Sequence, residues 1–410
     1  MRILYLSQYF APEVGATQNR AYEMAINWIR LGHSVTMLTE FPNHPSGIIP
    51  SEYRGKFFER ALLDGIDVVR VWVKASPNKN FLNRMLFYIS FMVNAILAGA
   101  LLVRGQFDFI YASSPPLFVG GAAMVLSQLK RIPMIFEVRD LWPQSAIELG
   151  ELTNPRAVYW ATKLEEACYR KAVKIVVVTQ GIYDYLIRRN IPVEKFIIIP
   201  NGANTSFFTY NSGERTKIRK ELHLEGKFIA VYAGIFGLAQ GLETILYSAK
   251  YLSDTPDIHF LLIGDGPKKG EITSLVKKNN LVNVTLLPER PVDSIPGYLS
   301  AADIAIIPLK KAQIFTGVIP SKIFDSWACE RPVLISIDGE ARQLVEGVRG
   351  GMFVPPENPE IMAETLKELM KFPLELESMG KNGREYTVRN RNRKVLAEKL
   401  ICELDISLHR

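Results

Sequence analysis

The chain has 410 residues, which exceeds one ordinary hydrophobic core and predicts two domains of roughly 150–200 residues each. Hydrophobic residues make up 48% of the chain and charged residues 22%, a balance that excludes an intrinsically disordered protein. The net charge of +7 fits a nucleic acid, an anionic lipid surface or a phosphorylated ligand. Because no long Lys/Arg run and no nucleic-acid motif occurs, we expect no nucleic-acid partner.

The cysteines and the N-terminal residues indicate a reducing compartment. Cys168, Cys329 and Cys402 are far apart and show no metal-ligand spacing, so we expect neither a metal nor a cofactor. The first ten residues, MRILYLSQYF, lack the layout of a signal peptide and predict a buried strand instead. These features favour a cytoplasmic protein.

Apolar runs and helical periodicities alternate along the first half of the chain. Gly15 opens the first helical pattern, and Gly32 ends it. This alternation predicts a parallel sheet covered by helices. The predicted strands are Arg2–Ser7, Val35–Thr39, Asp67–Trp72, Phe107–Ala112, Pro133–Glu137 and Ile175–Thr179.

The same alternation restarts after a polar, turn-rich connector at residues 200–210. The fold class is therefore α/β, with two Rossmann-like domains that we expect to face each other across a cleft. The predicted strands of the second half are Phe228–Ala233, His259–Ile263, Val284–Leu287, Ile304–Pro308 and Val333–Ser336.

The segment Met85–Val103 is apolar over 19 residues and allows three interpretations. It is long enough to cross a bilayer, but it lies between strands of one predicted sheet, which disfavours a spanning helix. It could also be a buried core helix, or a helix with one face on the sheet and one in the membrane interface. Basic residues that could meet anionic headgroups lie upstream: Arg54, Lys56, Arg60, Lys74, Lys79 and Arg84.

The strongest functional signal is Phe315–Pro332, FTGVIPSKIFDSWACERP. A tight loop with Gly317, Val318 and Ile319 leads to Ser321, a predicted N-cap. Lys322 and Asp325 then share one face of the helix that follows. A helix N-terminus with a lysine in its first turn suits a diphosphate, and a carboxylate there can accept both ribose hydroxyls. A simple loop–helix junction with a surface ion pair is the alternative.

This segment resembles the donor-binding motif of the family 4 retaining glycosyltransferases, which have the GT-B fold. It is closest to a polysaccharide-assembly subgroup with Pro-Ser-Lys ahead of the helix, similar to fucosamine and colanic-acid transferases. The resemblance implies that Asp325 is the ribose ligand. Gly317 stands where the family has its first glutamate, so the diphosphate is left to Lys322 and backbone groups.

Three further segments resemble donor loops of the family. Phe10–Thr17 is similar to the N-terminal Pro-Glu-x-Gly-Gly loop, which implies donor contacts for Gly15 and for Arg20 one turn on; solvent exposure is the alternative for Arg20. Residues 234–243 are similar to the second glycine loop, with Gly234, Gly237 and Gln240. Residues 288–291, with Arg290, stand where family members hold the base.

The predicted reacting centre lies in Phe136–Pro143 at the carboxyl end of a strand. Asp140 could orient or deprotonate the acceptor hydroxyl, with Glu137 as the rival carboxylate. Arg139 and Trp142 in the same segment, and His44 after the second strand, are predicted to contact the acceptor. The alternatives are a structural Arg139–Asp140 pair and a His44 that belongs to the ordinary polar surface.

Together these features predict a retaining transferase that uses a nucleoside-diphosphate sugar as donor, and the expected nucleotide is UDP. The expected sugar is an N-acetylated or deoxy hexose, and the expected acceptor is a polyprenyl-diphosphate-linked saccharide. We expect residues 1–203 with 385–410 to bind the acceptor, residues 204–384 to bind the donor, and the protein to lie on the inner face of the cell membrane. The alternatives are a nucleotide-sugar epimerase or hydrolase, a non-catalytic binding protein and an integral membrane protein.

Overall fold

The computed structural model describes residues 1–408 except Val14, Pro45 and Lys79. Val14 of the Pro-Glu-x-Gly loop, Lys79 of the predicted basic group and the last two residues of the predicted C-terminal helix therefore lie outside the described residues. The described chain forms two compact units, Met1–Pro200 with Lys394–Arg410, and Asn201–Arg393.

The first domain is built on an eight-stranded sheet of order β3-β4-β2-β1-β5-β6-β7-β8. All neighbouring strands are parallel except β3 and β4, which form an antiparallel hairpin at one edge. The strands are β1 (Arg2–Leu6), β2 (Ser34–Glu40), β3 (Phe58–Leu63), β4 (Ile66–Val71), β5 (Phe109–Ser114), β6 (Met134–Val138), β7 (Lys174–Val177) and β8 (Phe196–Ile198). The helices are α1 (Ala16–Arg30), α2 (Phe81–Leu101), α3 (Phe118–Lys130), α4 (Gln144–Glu148), α5 (Pro155–Lys171) and α6 (Gln180–Arg188).

The second domain has a six-stranded parallel sheet of order β11-β10-β9-β12-β13-β14. Its strands are β9 (Phe228–Ala233), β10 (Ile258–Ile263), β11 (Val284–Leu287), β12 (Ile304–Pro308), β13 (Val333–Ser336) and β14 (Gly351–Phe353). Its helices are α7 (Ser212–Glu221), α8 (Leu242–Tyr251), α9 (Lys269–Lys278), α10 (Ile295–Ala301), α11 (Lys322–Ala328), α12 (Glu340–Val348), α13 (Pro359–Leu369) and α14 (Pro373–Asn390). The predicted fold of two Rossmann-like domains is confirmed.

The last helix, α15 (Arg393–Leu408), packs in the core of the first domain. Leu396, Leu400 and Leu404 are buried there, and the indole N–H of Trp28 donates to the Ala397 carbonyl over 3.0 Å. The chain thus leaves the first domain after Pro200 and returns to it at Lys394.

The positions of these two crossings correct the predicted domain limits. Residues 201–203 and 385–393, assigned to the first domain from the sequence, belong to the second. The Ala203 N–H donates to the Arg391 carbonyl, and the Arg393 N–H donates to the Ala203 carbonyl, each over 3.0 Å. These bonds hold both segments together within the second domain.

Strand order locates the ligand-binding edge of each sheet. In the first sheet β1 lies between β2 and β5, and in the second β9 lies between β10 and β12. At such points the loops leave the two neighbouring strands in opposite directions, which opens a crevice at the carboxyl ends of the strands. The loops after β1, β9 and β12 begin at these crevices.

Candidate functional site

The predicted donor segment follows β12 in the second domain. A 3-10 turn covers Gln313–Gly317, and α11 begins at Lys322. Ser321 occupies the N-cap position, but its hydroxyl makes no capping hydrogen bond, because its backbone is already helical. With only seven residues, α11 has a smaller macrodipole than a longer helix.

The ammonium group of Lys322 lies against the end of β9. Its Nζ donates a hydrogen bond to the hydroxyl of Tyr232 over 2.8 Å and lies 4.3 Å from the ring centroid. The side chain passes over Gly234, where an added Cβ would lie 2.3 Å from Lys322 Cε. Burial lowers the pKa of Lys322 to about 7, although the Asp325 carboxylate opposes this shift. An anion bound beside Lys322 would stabilise its protonated form.

The glycine loop between β9 and α8 lies beside this lysine. Its peptide at Phe236 is hydrogen-bonded on both sides to the turn at residues 264–268, since the Phe236 N–H donates to Asp265 and its carbonyl accepts from Lys268. Gly237 has ordinary space around it, and the Gln240 amide oxygen lies 3.4 Å from the Tyr232 hydroxyl. The turn after β10 thus supports the loop from behind.

Lys322 and Asp325 line one small cavity of about 40 Å³ at the carboxyl ends of β9 and β12. Apart from Ser326, the rest of its lining is apolar and includes Ala233, Ile295, Leu299 and Ile307. The cavity brings together the two side chains that the sequence assigned to the diphosphate and the ribose.

The remaining predicted donor residues of the second domain lie on its loops. Gly317 ends the 3-10 turn, Val318 donates its N–H to the Phe315 carbonyl over 3.1 Å, and the Ile319 carbonyl accepts from the Asn201 amide. Arg290 follows β11, and its guanidinium lies 5.9 Å from the ring of Tyr298.

Arg20 and Glu137 have a different role from the one predicted. Both side chains are fully buried and form an ion pair of 2.7 Å. Arg20 also donates to the carbonyls of Ile199 and Pro200, and Ser113 donates its hydroxyl to Glu137 over 2.5 Å. Burial raises the pKa of Glu137, but its positive neighbours outweigh this and hold it below the ordinary value. The predictions of a donor contact for Arg20 and a catalytic carboxylate at Glu137 are therefore wrong. The pair connects α1 and β6, and Arg20 also ties both to the backbone at Ile199 and Pro200.

Asp140 is the carboxylate of this segment that keeps some solvent exposure. It accepts a hydrogen bond from the Ser145 hydroxyl over 3.0 Å, and α4 begins four residues after it. Burial raises its pKa above the ordinary value, although the bonds from Ser145 and the Leu141 N–H oppose the shift. The Arg139 guanidinium, in turn, donates to the Ala16 carbonyl over 3.1 Å. The Ser145 hydroxyl and the Leu141 N–H thus fix the Asp140 carboxylate just after the end of β6.

The loop that carries His44 is held by two buried glutamates. Glu13 accepts from the backbone N–H groups of Asn43 and His44 over 2.5 and 2.6 Å. Glu40 accepts from the side-chain amide of Asn43 over 2.7 Å and from that of Gln8. Burial raises the pKa of both carboxyl groups. Glu13 lies in the segment Phe10–Thr17, which was predicted to contact the donor, and its role in fixing the His44 loop was not predicted.

A row of aromatic rings connects two of the predicted acceptor residues. Successive ring centroids lie 5.5–6.4 Å apart: Trp142–Phe118 is 6.0 Å, Phe118–Tyr88 5.9 Å, Tyr88–Phe87 5.5 Å, Phe87–Tyr9 6.4 Å and Tyr9–His44 5.9 Å. Two of these rings belong to α2, so the predicted acceptor side of the domain is continuous with that helix.

One residue of the candidate donor site was not predicted from the sequence. Tyr232 is the fifth residue of β9 and reads as an ordinary core position, because its strand is a continuous apolar run. The only signal was its place two residues before Gly234. Among the described residues, no group of three His, Cys, Asp or Glu side chains is arranged to hold a metal ion.

Two family models match almost the whole chain. Residues 15–202 match the glycosyl transferase 4-like domain, and residues 214–386 match the glycosyl transferases group 1. A putative colanic acid biosynthesis glycosyl transferase, WcaI of Escherichia coli K12, is 24% identical over 385 residues, which cover 91% of this chain and 93% of that protein. The alpha-monoglucosyldiacylglycerol synthase of Acholeplasma laidlawii is 21% identical over 377 residues, 86% of this chain and 84% of that protein.

Solved structures share the fold at low sequence identity. Anabaena Alr3699/HepE in complex with UDP-glucose has a TM-score of 0.75 at 16% identity and matches 99% of both chains. Sucrose-phosphate synthase from Thermosynechococcus elongatus has a TM-score of 0.74 at 19% identity and matches 100% of this chain and 99% of its own. The chain therefore belongs to the glycosyltransferases of the GT-B fold, with a glycosyl transferase 4-like first domain and a group 1 second domain.

Proposed function

We propose that the protein is a retaining glycosyltransferase that takes its sugar from a UDP-linked donor. The single observation that carries this proposal is the placement of Lys322 and Asp325 on one cavity at the switch point of the second sheet. The HepE structure, which shares the fold, was solved with UDP-glucose.

The donor diphosphate becomes more negative as the glycosidic bond to it breaks. Lys322 is the cation we assign to that charge, since fixed electrostatic stabilisation is the largest catalytic contribution in many enzymes. The seven residues of α11 give a small macrodipole, so the lysine carries more of this task. Asp325 binds the ribose, and Asp140 orients or deprotonates the acceptor hydroxyl. This assignment needs no protein nucleophile.

The donor loop favours a sugar with few free hydroxyl groups. Gly317 offers no carboxylate at the place where the family has a glutamate, and Val318 and Ile319 are apolar. A deoxy or N-acetylated hexose matches these neighbours better than a fully hydroxylated one, because unpaired hydroxyls are costly to bury. The relative WcaI, named for colanic acid biosynthesis, supports a role in surface polysaccharide or glycan assembly.

The exposed face of α2 supports an acceptor held at a membrane. Apolar side chains recur along it at helical spacing: Leu82, Leu86, Ile89, Val93, Leu97 and Leu101, with 36–66% of each exposed. The opposite face packs on α3, where Gly99 meets Leu126. Within the described part of the chain, α2 is the one helix that is long and apolar enough to cross a membrane. The Lys74 N–H donates to the Ser90 hydroxyl oxygen, and the Asn94 side-chain amide donates to the Trp72 carbonyl. Both bonds tie α2 to the segment that follows β4 and favour the interfacial arrangement.

The basic residues upstream of α2 differ in whether an ion pair already holds their side chains. Arg60 is ion-paired with Asp67, and Arg84 with Glu151. Arg54 and Lys74 are exposed. We propose that they, with the apolar face of α2, dock the protein on the inner face of the cell membrane, where the acceptor is a polyprenyl-diphosphate-linked saccharide.

A panel of nucleotide sugars tests the donor assignment. We expect UDP-sugars to raise the melting temperature more than GDP- or ADP-sugars, and a transferred sugar with retained anomeric configuration in the product. Conversion of the donor without an acceptor would indicate an epimerase or hydrolase instead. Binding without any conversion, in the presence of lipid-linked acceptors, would indicate a non-catalytic protein.

Vesicle flotation tests the membrane assignment. Leu86→Glu combined with Val93→Glu should abolish binding to vesicles that contain phosphatidylglycerol. Leu374→Glu is the matched control, because Leu374 is 80% exposed on the second domain. Undiminished binding of the α2 variant would count against this surface. Resistance of the wild-type protein to extraction by mild alkali would indicate a spanning helix.

A further inference from the structure

We propose that Tyr232 is a positioning residue that holds the Lys322 ammonium group at the donor diphosphate site. The inference rests on the proposed function and adds to it a second side chain, on a different element. Lys322 begins α11, whereas Tyr232 lies near the carboxyl end of β9.

The hydrogen-bond directions at the Tyr232 hydroxyl suit this role. The hydroxyl donates its proton to the Ile235 carbonyl over 2.6 Å, so its oxygen is left to accept from Lys322 Nζ over 2.8 Å. The phenol thus connects the glycine loop to the lysine. Since an ammonium group has three donors, the bond to Tyr232 leaves two for a phosphate.

Tyr232 itself is rigidly placed. It is 1% exposed, its strand β9 lies in the middle of the sheet, and its ring centroid is 6.0 Å from that of Phe236 in the glycine loop. A long lysine side chain has many rotamers, and fixing one of them costs conformational entropy. Because the core already orders Tyr232, its hydroxyl can hold the lysine in one rotamer through their hydrogen bond.

The space for the lysine is also built into the backbone. An added Cβ at Gly234 would lie 2.4 Å from Lys322 Nζ, so only glycine leaves the ammonium group its place beside the loop. The charged or titratable groups facing the lysine are Tyr232 from β9 and Asp325 from α11. From α10 and β12 the cavity receives only apolar side chains, Ile295, Leu299, Ala305, Ile306 and Ile307.

This environment makes binding of a diphosphate depend on pH. With its pKa lowered to about 7 by burial, Lys322 is half protonated near neutrality in the free protein. A bound diphosphate stabilises the protonated form, so binding takes up a proton above pH 7 and the affinity falls as the pH rises through that value. Loss of the Tyr232 oxygen removes an acceptor from the ammonium group and moves the fall to lower pH.

Calorimetric titration of the full-length protein with UDP tests the inference at pH 6.5 and pH 8.5. Tyr232→Phe keeps the ring and removes the oxygen; we expect it to bind UDP about tenfold more weakly at pH 6.5, in line with the loss of one hydrogen bond to a charged group. Tyr247→Phe, on the exposed surface of α8, is the matched control and should bind as the wild type does. A merely structural tyrosine would lower the melting temperature of the variant without moving its pH profile.

Proton uptake gives a second, independent measurement on the wild-type protein. Titrations in buffers of different ionisation enthalpy should show uptake of up to about one proton per UDP at pH 8, and none for Lys322→Met. Equal UDP affinity and an unchanged pH profile in Tyr232→Phe would overturn this inference alone. Failure of the wild-type protein to bind UDP, GDP or ADP would overturn the proposed function, and the inference with it.

Discussion

The two domains each place a cation and a carboxylate near the carboxyl end of a central strand, but the two pairs do different things. Arg20 and Glu137 of the first domain are fully buried, and carbonyls and a hydroxyl satisfy their remaining hydrogen-bonding groups. Lys322 and Asp325 of the second domain border a cavity, and burial lowers the pKa of the lysine. The first is a saturated pair, whose charged groups are hydrogen-bonded within the protein, and it stabilises the fold. Lys322 is an undercompensated cation: burial disfavours its protonated form, which an anionic ligand would stabilise.

The largest expected effect follows from the saturated pair. Arg20→Ala should lower the free energy of unfolding by about 3–5 kcal/mol, because it leaves the Glu137 carboxylate buried without its partner. Chemical denaturation measures this change. Arg60→Ala is the control: it breaks the half-exposed pair with Asp67 in the same domain and should cost about 0–1 kcal/mol. An Arg20→Ala protein of normal stability that no longer binds the donor would reverse the comparison.

The second effect concerns the undercompensated cation. Lys322→Ala should lower kcat/KM by about 10²–10³-fold, the range found when one electrostatic contact to a transition state is removed. The melting temperature of the ligand-free protein should not fall, since the variant no longer buries a charge. Lys278→Ala, at an exposed position of α9, controls for the general loss of a positive charge. Unchanged turnover in Lys322→Ala would remove the lysine from the mechanism.

The sequence predicted correctly those elements whose structure depends on residues that are neighbours in the chain. β9, β12 and β13 have the predicted bounds because buried parallel strands are continuous apolar runs, and the half-buried edge strand β11 has its predicted bounds as well. β3 was missed: it is an edge strand whose residues are mostly exposed, so no apolar run marks it. The apolar run predicted a long helix at α2, but it did not show which face of that helix is exposed.

Contacts between residues that are far apart in the sequence limited how much of the candidate site could be predicted. Arg20 and Glu137 are 117 residues apart, and nothing in either local sequence shows that they neutralise each other. Tyr232 and Lys322 are 90 residues apart, so the support of the lysine was equally invisible. The helical spacing of Lys322 and Asp325, in contrast, was local and could be derived from the sequence.

A third effect distinguishes Asp140 from its buried neighbour Glu137. Asp140→Asn should lower kcat by about 10²-fold, which is typical for the loss of a general base. A base must be deprotonated, so the wild-type rate should rise with pH through the raised pKa of Asp140. Ser145→Ala removes a bond that favours the carboxylate and should move this rise to higher pH. Glu148→Gln on α4 is the control, and an Asp140→Asn variant with full activity would leave the proton to the leaving phosphate.

The smallest effect compares two glycines of one loop. Gly234 has φ 147° and no room for a Cβ beside Lys322, whereas Gly237 has φ −91° and its nearest neighbours would lie 3.6 Å from a Cβ. Gly234→Ala should displace the lysine and weaken UDP binding about tenfold, equivalent to 1.4 kcal/mol, while Gly237→Ala should bind UDP normally. Calorimetric titration of both variants at pH 6.5 measures the difference. Equal affinities would mean that the ammonium group reaches the diphosphate from another direction, and that the close approach at Gly234 is a matter of packing alone.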